Sequence, residues 1–277
     1  MALGFQSAQL ALDIGGSAVV GLQTMGNAGR LKLRAYYEWP LSEGLVVDGE
    51  IADVDLLARE LKAFASQYKL RGKSVQLAVS NQKVIVRNIE MPEMTESELR
   101  GAIEFQAQDY IPIPVDEVVL DFQVVGKAVN AEGASRQEIV LVAAQKAMIG
   151  AFCAAFKQAG LKVAGIDVYS MALVRALIPA PSFLGEANPN ATCRAIADIS
   201  SSVSTLVVAL DAVPKFTRVV NFSSDRFARV LSEQRSIPLD DAQNMAQLVG
   251  MAGPLPPEND VYSDEIIAGT EEKLGEV

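Results

Sequence analysis

Two short stretches of this chain carry the residue types from which a phosphate-binding device is built. Leu10-Ala11-Leu12-Asp13-Ile14-Gly15-Gly16-Ser17 and Ala195-Ile196-Ala197-Asp198-Ile199-Ser200-Ser201-Ser202 each run from an apolar strand through an acidic residue into a turn of very small residues. A second apolar strand follows each turn, at 18–22 and 205–209. A turn without bulky side chains lets backbone N–H groups approach and cradle phosphate oxygens, while the aspartate can hold a magnesium ion or its waters. The candidate cofactor contacts are therefore Asp13, Gly15, Gly16, Ser17, Asp198, Ser200, Ser201 and Ser202, with Asp13 and Asp198 as the candidate metal ligands. Two such hairpins predict a nucleotide held between two lobes. Taken alone, Asp-Ile-Gly-Gly is also a common strand-end turn and serine clusters fill ordinary turns. Neither stretch is the Walker sequence.

Composition limits what the pair can mean. The chain has 277 residues, half of them apolar, enough to bury a substantial core in two or more subdomains. Its formal charge of −10 repels a nucleic-acid backbone and disfavours direct adhesion to an anionic membrane. Cys153 and Cys193 are the only cysteines, too few for a disulfide framework, and are expected as reduced, buried thiols. The sequence contains no histidine, which removes His-dependent triads, His general bases and most zinc sites. No charged-then-apolar leader opens the chain, and no apolar run approaches the roughly 18 residues of a membrane span. A cytoplasmic protein is the simplest reading.

The elements that must position the two turns alternate strand and helix. Residues 32–39 read as a strand stopped by Pro40, and Asp53 opens a helix whose Val54, Leu57, Leu61, Phe64 and Tyr68 share one face. Residues 74–79 return as a strand. A second unit starts near Val84 with a strand closed by Met91-Pro92. Thr95 and Glu98 then have capping-box spacing, and the helix they open ends at Tyr110 because Pro112 and Pro114 forbid more. Strands at 118–125 and 138–144 flank a polar loop, and a helix carrying Ile149, Phe152, Phe156 and Ala159 stops at Gly160. Residues 166–168 and a helix at 171–177 return to the first lobe, and 179–190 reads as a linker with three prolines. After the second hairpin come a strand at 215–220, a helix with Phe227, Val230 and Leu231, and another with Ala242, Met245, Leu248 and Val249 ending at Gly250. From Ala252 onward the chain is proline-rich and then acidic, as a solvated tail would be.

Paired hairpins separated by an inserted unit resemble the phosphate hairpins of the actin-like ATPase superfamily. More narrowly, the run Tyr110-Ile111-Pro112-Ile113-Pro114-Val115-Asp116-Glu117-Val118-Val119-Leu120-Asp121-Phe122 is similar to the Tyr-Ile-Pro-Phe-Pro-(Leu/Ile)-Asp-Glu-Val-Val-Leu-Asp-Phe of the PilM family of type IV pilus assembly. Val142-Ala143-Ala144, Ala159-Gly160-Leu161-Lys162 with Ile166-Asp167-Val168, and Asp198-Ile199 with Phe216-Thr217-Arg218 add to it. The resemblance implies an α/β fold of the actin-like, FtsA-like kind with an inserted SHS2-type 1C subdomain and an incomplete second lobe. Lobe 1A would take residues 1–82, 1C residues 83–165, a return to 1A and linker 166–190, partial lobe 2 residues 191–251, and the acidic tail 252–277.

Three departures from the family pattern stand out. Val19 and Val20 occupy the region where the family places a phosphate-facing lysine, and Ser200 and Ser202 replace the Gly and Glu of its Asp-Ile-Gly-Ala-Glu. The family's further long helix and Gly-Gly adenosine turn have no counterpart before Val277, so a shortened chain is expected.

The resemblance implies a cytoplasmic adaptor, peripheral to the inner membrane, that binds the N-terminal cytoplasmic peptide of a PilN-like bitopic membrane protein. Through it the alignment subcomplex would meet the pilus motor ATPase. Tyr110, Ile111, Pro112, Ile113 and Pro114 are the candidate partner contacts, since a rigid, non-helical segment leaves backbone groups free for an extended ligand. ATP with Mg²⁺ is the implied cofactor, bound without appreciable turnover, and no catalytic residue is assigned. The rival readings are an ATPase or small-molecule kinase of the same superfamily, and an FtsA-like filament protein. The first needs a complete adenosine pocket and a base facing an acceptor. The second leads one to expect a basic amphipathic terminal helix, whereas this tail is acidic.

Overall fold

A computed structural model describes residues 9–26, 31–129, 133–178 and 191–249. The linker expected at 179–190, the helix stop at Gly250 and the acidic tail lie outside the described residues.

The first lobe is a five-stranded sheet of order β10-β6-β1-β2-β3. Strands β1 (Gln9–Ile14), β2 (Ala18–Met25) and β3 (Lys32–Pro40) form an antiparallel meander. β6 (Ser74–Val79) pairs parallel with β1, and β10 (Lys162–Val168) parallel with β6. Period-two alternation sends Leu10, Leu12, Val19, Val75, Leu77 and Val79 to one face, where all are buried. Helices α1 (Val54–Gln67) and α3 (Lys146–Gln158) cover that face. α1 forms where the sequence places it, because the Asp53 carboxylate accepts the Leu56 N–H at 2.8 Å and the apolar stripe then repeats in helical register. Phe64, fully buried, anchors the stripe with its ring at 6.2 Å from Tyr37 and 5.2 Å from Tyr68.

Between β3 and α1 lies a hairpin that the sequence reading passes over, β4 (Val46–Val47) and β5 (Glu50–Ile51). Asp48 and Gly49 turn it with φ of 53° and 75°, the left-handed pair that a two-residue hairpin requires.

The insertion is a three-stranded antiparallel sheet of order β7-β9-β8, from β7 (Val84–Pro92), β8 (Val118–Val129) and β9 (Ser135–Gln145). Helix α2 (Glu96–Tyr110) packs on it through Leu99, Ile103 and Ala107. The expected capping box is present: the Thr95 N–H donates to Glu98 Oε2 at 2.8 Å, and the Glu98 N–H to Thr95 Oγ1 at 3.4 Å. β8 and β9 extend into the expected polar loop, each lengthening the hairpin by pairing with the other. Helix α3 falls within the stretch 83–165 expected as the inserted unit, yet its Phe152, Ala155 and Phe156 pack with α1 in the core of the first lobe.

Helix α4 (Tyr169–Leu177) leads to the second lobe, an antiparallel sheet of β11 (Cys193–Ile199), β12 (Ser204–Leu210) and β13 (Val213–Val220). Val174 on α4 and Ile178 just after it pack against Val207 and Ala209 of β12, which makes α4 a joint between the lobes. Helices α5 (Ser224–Arg235) and α6 (Leu239–Val249) pair through Ala228, Leu231 and Ala242. The cysteines depart from expectation, since both thiols are exposed. Cys153 lies on the side of α3 away from its buried phenylalanines, and Cys193 begins an edge strand.

Replacing Phe64 with Ala removes the ring on which Tyr37 and Tyr68 pack and should cost about 3–5 kcal/mol. Equilibrium urea unfolding should show a lowered midpoint at unchanged slope.

Candidate functional site

Each predicted turn sits at the tip of a hairpin whose register leaves only small residues to bridge it. In the first, β1 and β2 stay paired up to Ile14 opposite Val19, and the Gly15 N–H closes on the Ala18 carbonyl at 2.9 Å. In the second, β11 and β12 stay paired up to Ile199 opposite Ser204, and the Ser200 N–H reaches the Val203 carbonyl at 3.2 Å. The two tips meet. The buried Gly16 N–H donates to Ser201 Oγ at 2.9 Å, and the Gly49 N–H, from the β4–β5 turn, donates to Ser202 Oγ at 2.9 Å. Beside them the hydroxyls of Ser80 and Thr205 are 2.8 Å apart. At the rim Arg229 pairs with Glu43 at 2.8 Å, an exposed contact of little energetic weight.

A side chain at any of these glycines would crowd its neighbours. A Cβ on Gly15 would lie 3.1 Å from Ser201 Oγ, and one on Gly16 would lie 3.3 Å from Ser202 Cβ. Gly49 is the most constrained, since a Cβ there would come within 2.0 Å of the Ser80 carbonyl oxygen.

Around the meeting point is a cleft of about 310 Å³. Of the predicted residues, Asp13, Gly15, Ser17, Ser200, Ser201 and Ser202 line it. Gly16 lies under the second turn, and Asp198 stands behind Ser200, whose hydroxyl donates to Asp198 Oδ2 at 2.6 Å. Burial and the neighbouring Asp198 charge push the Asp13 carboxyl above its ordinary value, against a smaller opposing effect of the Ile14 N–H. The Tyr169 hydroxyl, within hydrogen-bonding reach of Asp198 and Ser200, is pushed up to about 12 by burial and by the charges of Asp198 and Asp13. Among the described residues no lysine or arginine lines the cleft. The carboxylates of its lining are Asp13 and Glu38, and among the described residues no group of three or more acidic or cysteine side chains is placed to hold a metal ion.

Sequence reading missed Gly49, Ser80, Tyr169 and Thr205. Asp48-Gly49 between short apolar runs is itself a strong hairpin signal and could have exposed the first. The others have no local signature, because only the approach of the two lobes gives them a role.

A second cavity, about 340 Å³, shares the wall Val79–Ser80 with the first. Its other walls are Ile85, Val86 and Arg87 of β7 and Thr217, Arg218 and Val219 of β13. The lobes also touch nearby, where Asn88 Nδ2 donates to the Lys215 carbonyl at 3.1 Å and Lys215 Nζ pairs with Glu138 at 2.9 Å. The segment expected to contact a partner divides in two. Ile111 is 3% exposed and packs with Ile85, Ala143 and Val118, so its side chain backs the cavity wall. Tyr110 and Ile113 are half-buried on the same cluster, and Pro112 and Pro114 are exposed.

The sequence profile of the type IV pilus assembly protein PilM matches residues 11–260. The chain belongs to the PilM family. Among solved structures, the chain is similar to a PilM–PilN type IV pilus biogenesis complex at 25% identity, with a TM-score of 0.74 over 97% of this chain and 75% of that one. The ethanolamine utilization protein EutJ from Carboxydothermus hydrogenoformans matches at 13% identity and a TM-score of 0.54 over 97% of this chain and 69% of that one, which speaks for the fold alone. The fold of this PilM-family chain is actin-like, as expected from its paired hairpins.

Two measurements test the site. The raised Asp13 carboxyl contributes stability below the ordinary value of 3.8, and that contribution is lost as pH rises through the folded-state value. Asp13→Asn should therefore be more stable than wild type at pH 7 in metal-free buffer, with the difference vanishing as the pH falls toward 3.8 in a urea-unfolding series. Gly49→Ala should destabilise by roughly 2 kcal/mol or more, read as a lowered melting temperature.

Proposed function

We propose that the chain is a cytoplasmic adaptor of type IV pilus assembly that binds the N-terminal cytoplasmic segment of a PilN-like membrane protein. The observation that carries this is the likeness, over 97% of the chain, to a solved PilM–PilN complex. Among the described residues no helix is long and apolar enough to cross a membrane, so a membrane-anchored partner would provide the attachment. The cavity between β7, β13 and the end of β6 offers room for an extended segment, its apolar floor of Val79, Val84, Ile85 and Val86 set among polar walls from Gln82, Arg87, Thr217 and Arg218. Contact with the motor ATPase belongs to the same proposal and rests on the family resemblance. Within this proposal the cleft takes Mg²⁺ with ATP as a conformational ligand. Asp13 and Asp198 would hold the ion, and Gly15, Gly16, Ser17 and Ser200–Ser202 would surround the phosphates.

Calorimetric titration with the N-terminal peptide of a co-encoded PilN-like protein should give micromolar binding. Val86→Asp, which places a charge on the apolar floor, should weaken it at least about tenfold, or 1.4 kcal/mol. Unchanged affinity in Val86→Asp with loss in a Pro112→Ala/Pro114→Ala variant would move the partner to the proline segment. Absent peptide binding with steady ATP turnover would replace the adaptor by an enzyme.

A further inference from the structure

The charge of the chain is unevenly spread, and the strand registers show where. At the end of the five-stranded sheet opposite the hairpin tips, Lys162 of β10 pairs with Ser74 of β6, Gln9 of β1 with Thr24 of β2, and Met25 of β2 with Lys32 of β3. The loop after α1 and the loop after α3 close on the same end, because the Gly72 N–H donates to the Gly160 carbonyl at 2.9 Å and the Lys162 N–H to the Lys73 carbonyl at 3.0 Å. Lys69, Arg71 and Lys73 therefore share this end with Lys157 and Lys162, and Lys32 and Arg34 continue it along the edge strand. All are exposed, and among the described residues none forms an ion pair with a carboxylate. The three stretches that supply them, 14–37, 61–82 and 139–166, contain no aspartate or glutamate. In a chain of formal charge −10, one end of the first lobe is basic. Large apolar side chains stand among these cations. Leu31 and Leu33, 62% and 63% exposed, flank Lys32, and Met25, 48% exposed, lies opposite it. Single exposed leucines are ordinary, whereas a contiguous group marks a contact surface.

We propose that this end of the first lobe contacts an anionic lipid bilayer directly: the lysines and arginines meet the headgroups, and Leu31, Leu33 and Met25 enter the boundary between headgroups and acyl chains. The inference goes beyond the partner proposed above, since it gives the chain a lipid contact of its own. Strands lie about 4.8 Å apart, so a five-strand end is about 20 Å wide and presents its cations to a flat surface together. Basic clusters of this size are held at anionic leaflets, each Lys or Arg adding to the attraction. The repulsion expected from the overall charge acts at long range and is screened, so at contact the nearest residues decide. A nucleic acid or an acidic peptide would satisfy the same cations but leave the leucines in water, whereas a bilayer takes both. Beside a membrane-anchored partner, this surface supplies the second of two weak attachments, which together hold more firmly than either alone.

The test is co-sedimentation of the full chain, without partner, with vesicles of phosphatidylglycerol and phosphatidylcholine in equal parts. Binding to these vesicles and not to pure phosphatidylcholine is expected, and it should weaken as salt is raised. Lys69→Glu/Arg71→Glu/Lys73→Glu should lower the affinity ~tenfold or more, and Leu31→Ser/Leu33→Ser about threefold or more. Arg100→Glu, which removes an exposed cation from α2, should leave it unchanged. Wild-type protein that ignores the mixed vesicles overturns the proposal, a result that needs no variant to fold. Equal binding by the charge-reversed protein, with wild-type circular dichroism, overturns it as well. Vesicle binding untouched by the leucine substitutions, together with equally tight binding to duplex DNA, assigns the surface to a soluble polyanion and overturns the bilayer. Each of these results is independent of the PilN-like segment, whose binding is read separately by calorimetry.

Discussion

The structure depends on one requirement: backbone donors turned toward a closed seam need acceptors. Gly16 and Gly49 present their N–H groups from two different turns of the first lobe, and Ser201 and Ser202 supply the oxygens from the second. The sheets fix where those groups lie. Both hairpins stay in register to their last strand residue, so each turn projects from a rigid edge, and only residues without bulk fit between them. The ion pair at the rim is an accompaniment, because exposed charges contribute little.

The end of β6 joins the rest of the molecule to this seam. Val79 and Ser80 form a wall of the cleft between the hairpin tips and of the cavity beside β7, and Ser80 also bonds to Thr205 across the lobes. A displacement of that strand end changes both cavities at once. The inserted sheet is braced to the second lobe through Asn88, Glu138 and Lys215, so three packed bodies surround one short segment of backbone.

The legible parts of the fold were those with local causes. Asp53 and Thr95 cap helices because their side chains reach amides three residues away, and the alternation in β1, β2 and β6 follows from a sheet with one buried face. The parts that were not legible had nonlocal causes. Ile111 was read only as part of a rigid, non-helical segment, and Ile85 and Ala143 from distant strands enclose its side chain. Helix α3 follows the inserted strands in sequence, yet its phenylalanines complete the core under α1. The cysteines were expected to be buried on the habit of the residue type, and the faces they fall on decided otherwise.

By itself, the sequence determined the pair of strand–acid–turn hairpins, the α/β order and the family run from Tyr110 to Phe122, because each is written in contiguous residues. It also placed Asp13 and the small residues at the tips, where a ligand or another backbone must come close. What the tips do was decided only by tertiary structure. Residues 185 apart, Gly16 and Ser201, share one hydrogen bond, and the Asp13 carboxyl is raised by burial and then by the charge of Asp198 on the other lobe. Such terms depend on distance and burial between lobes, quantities that no local pattern of residue types contains.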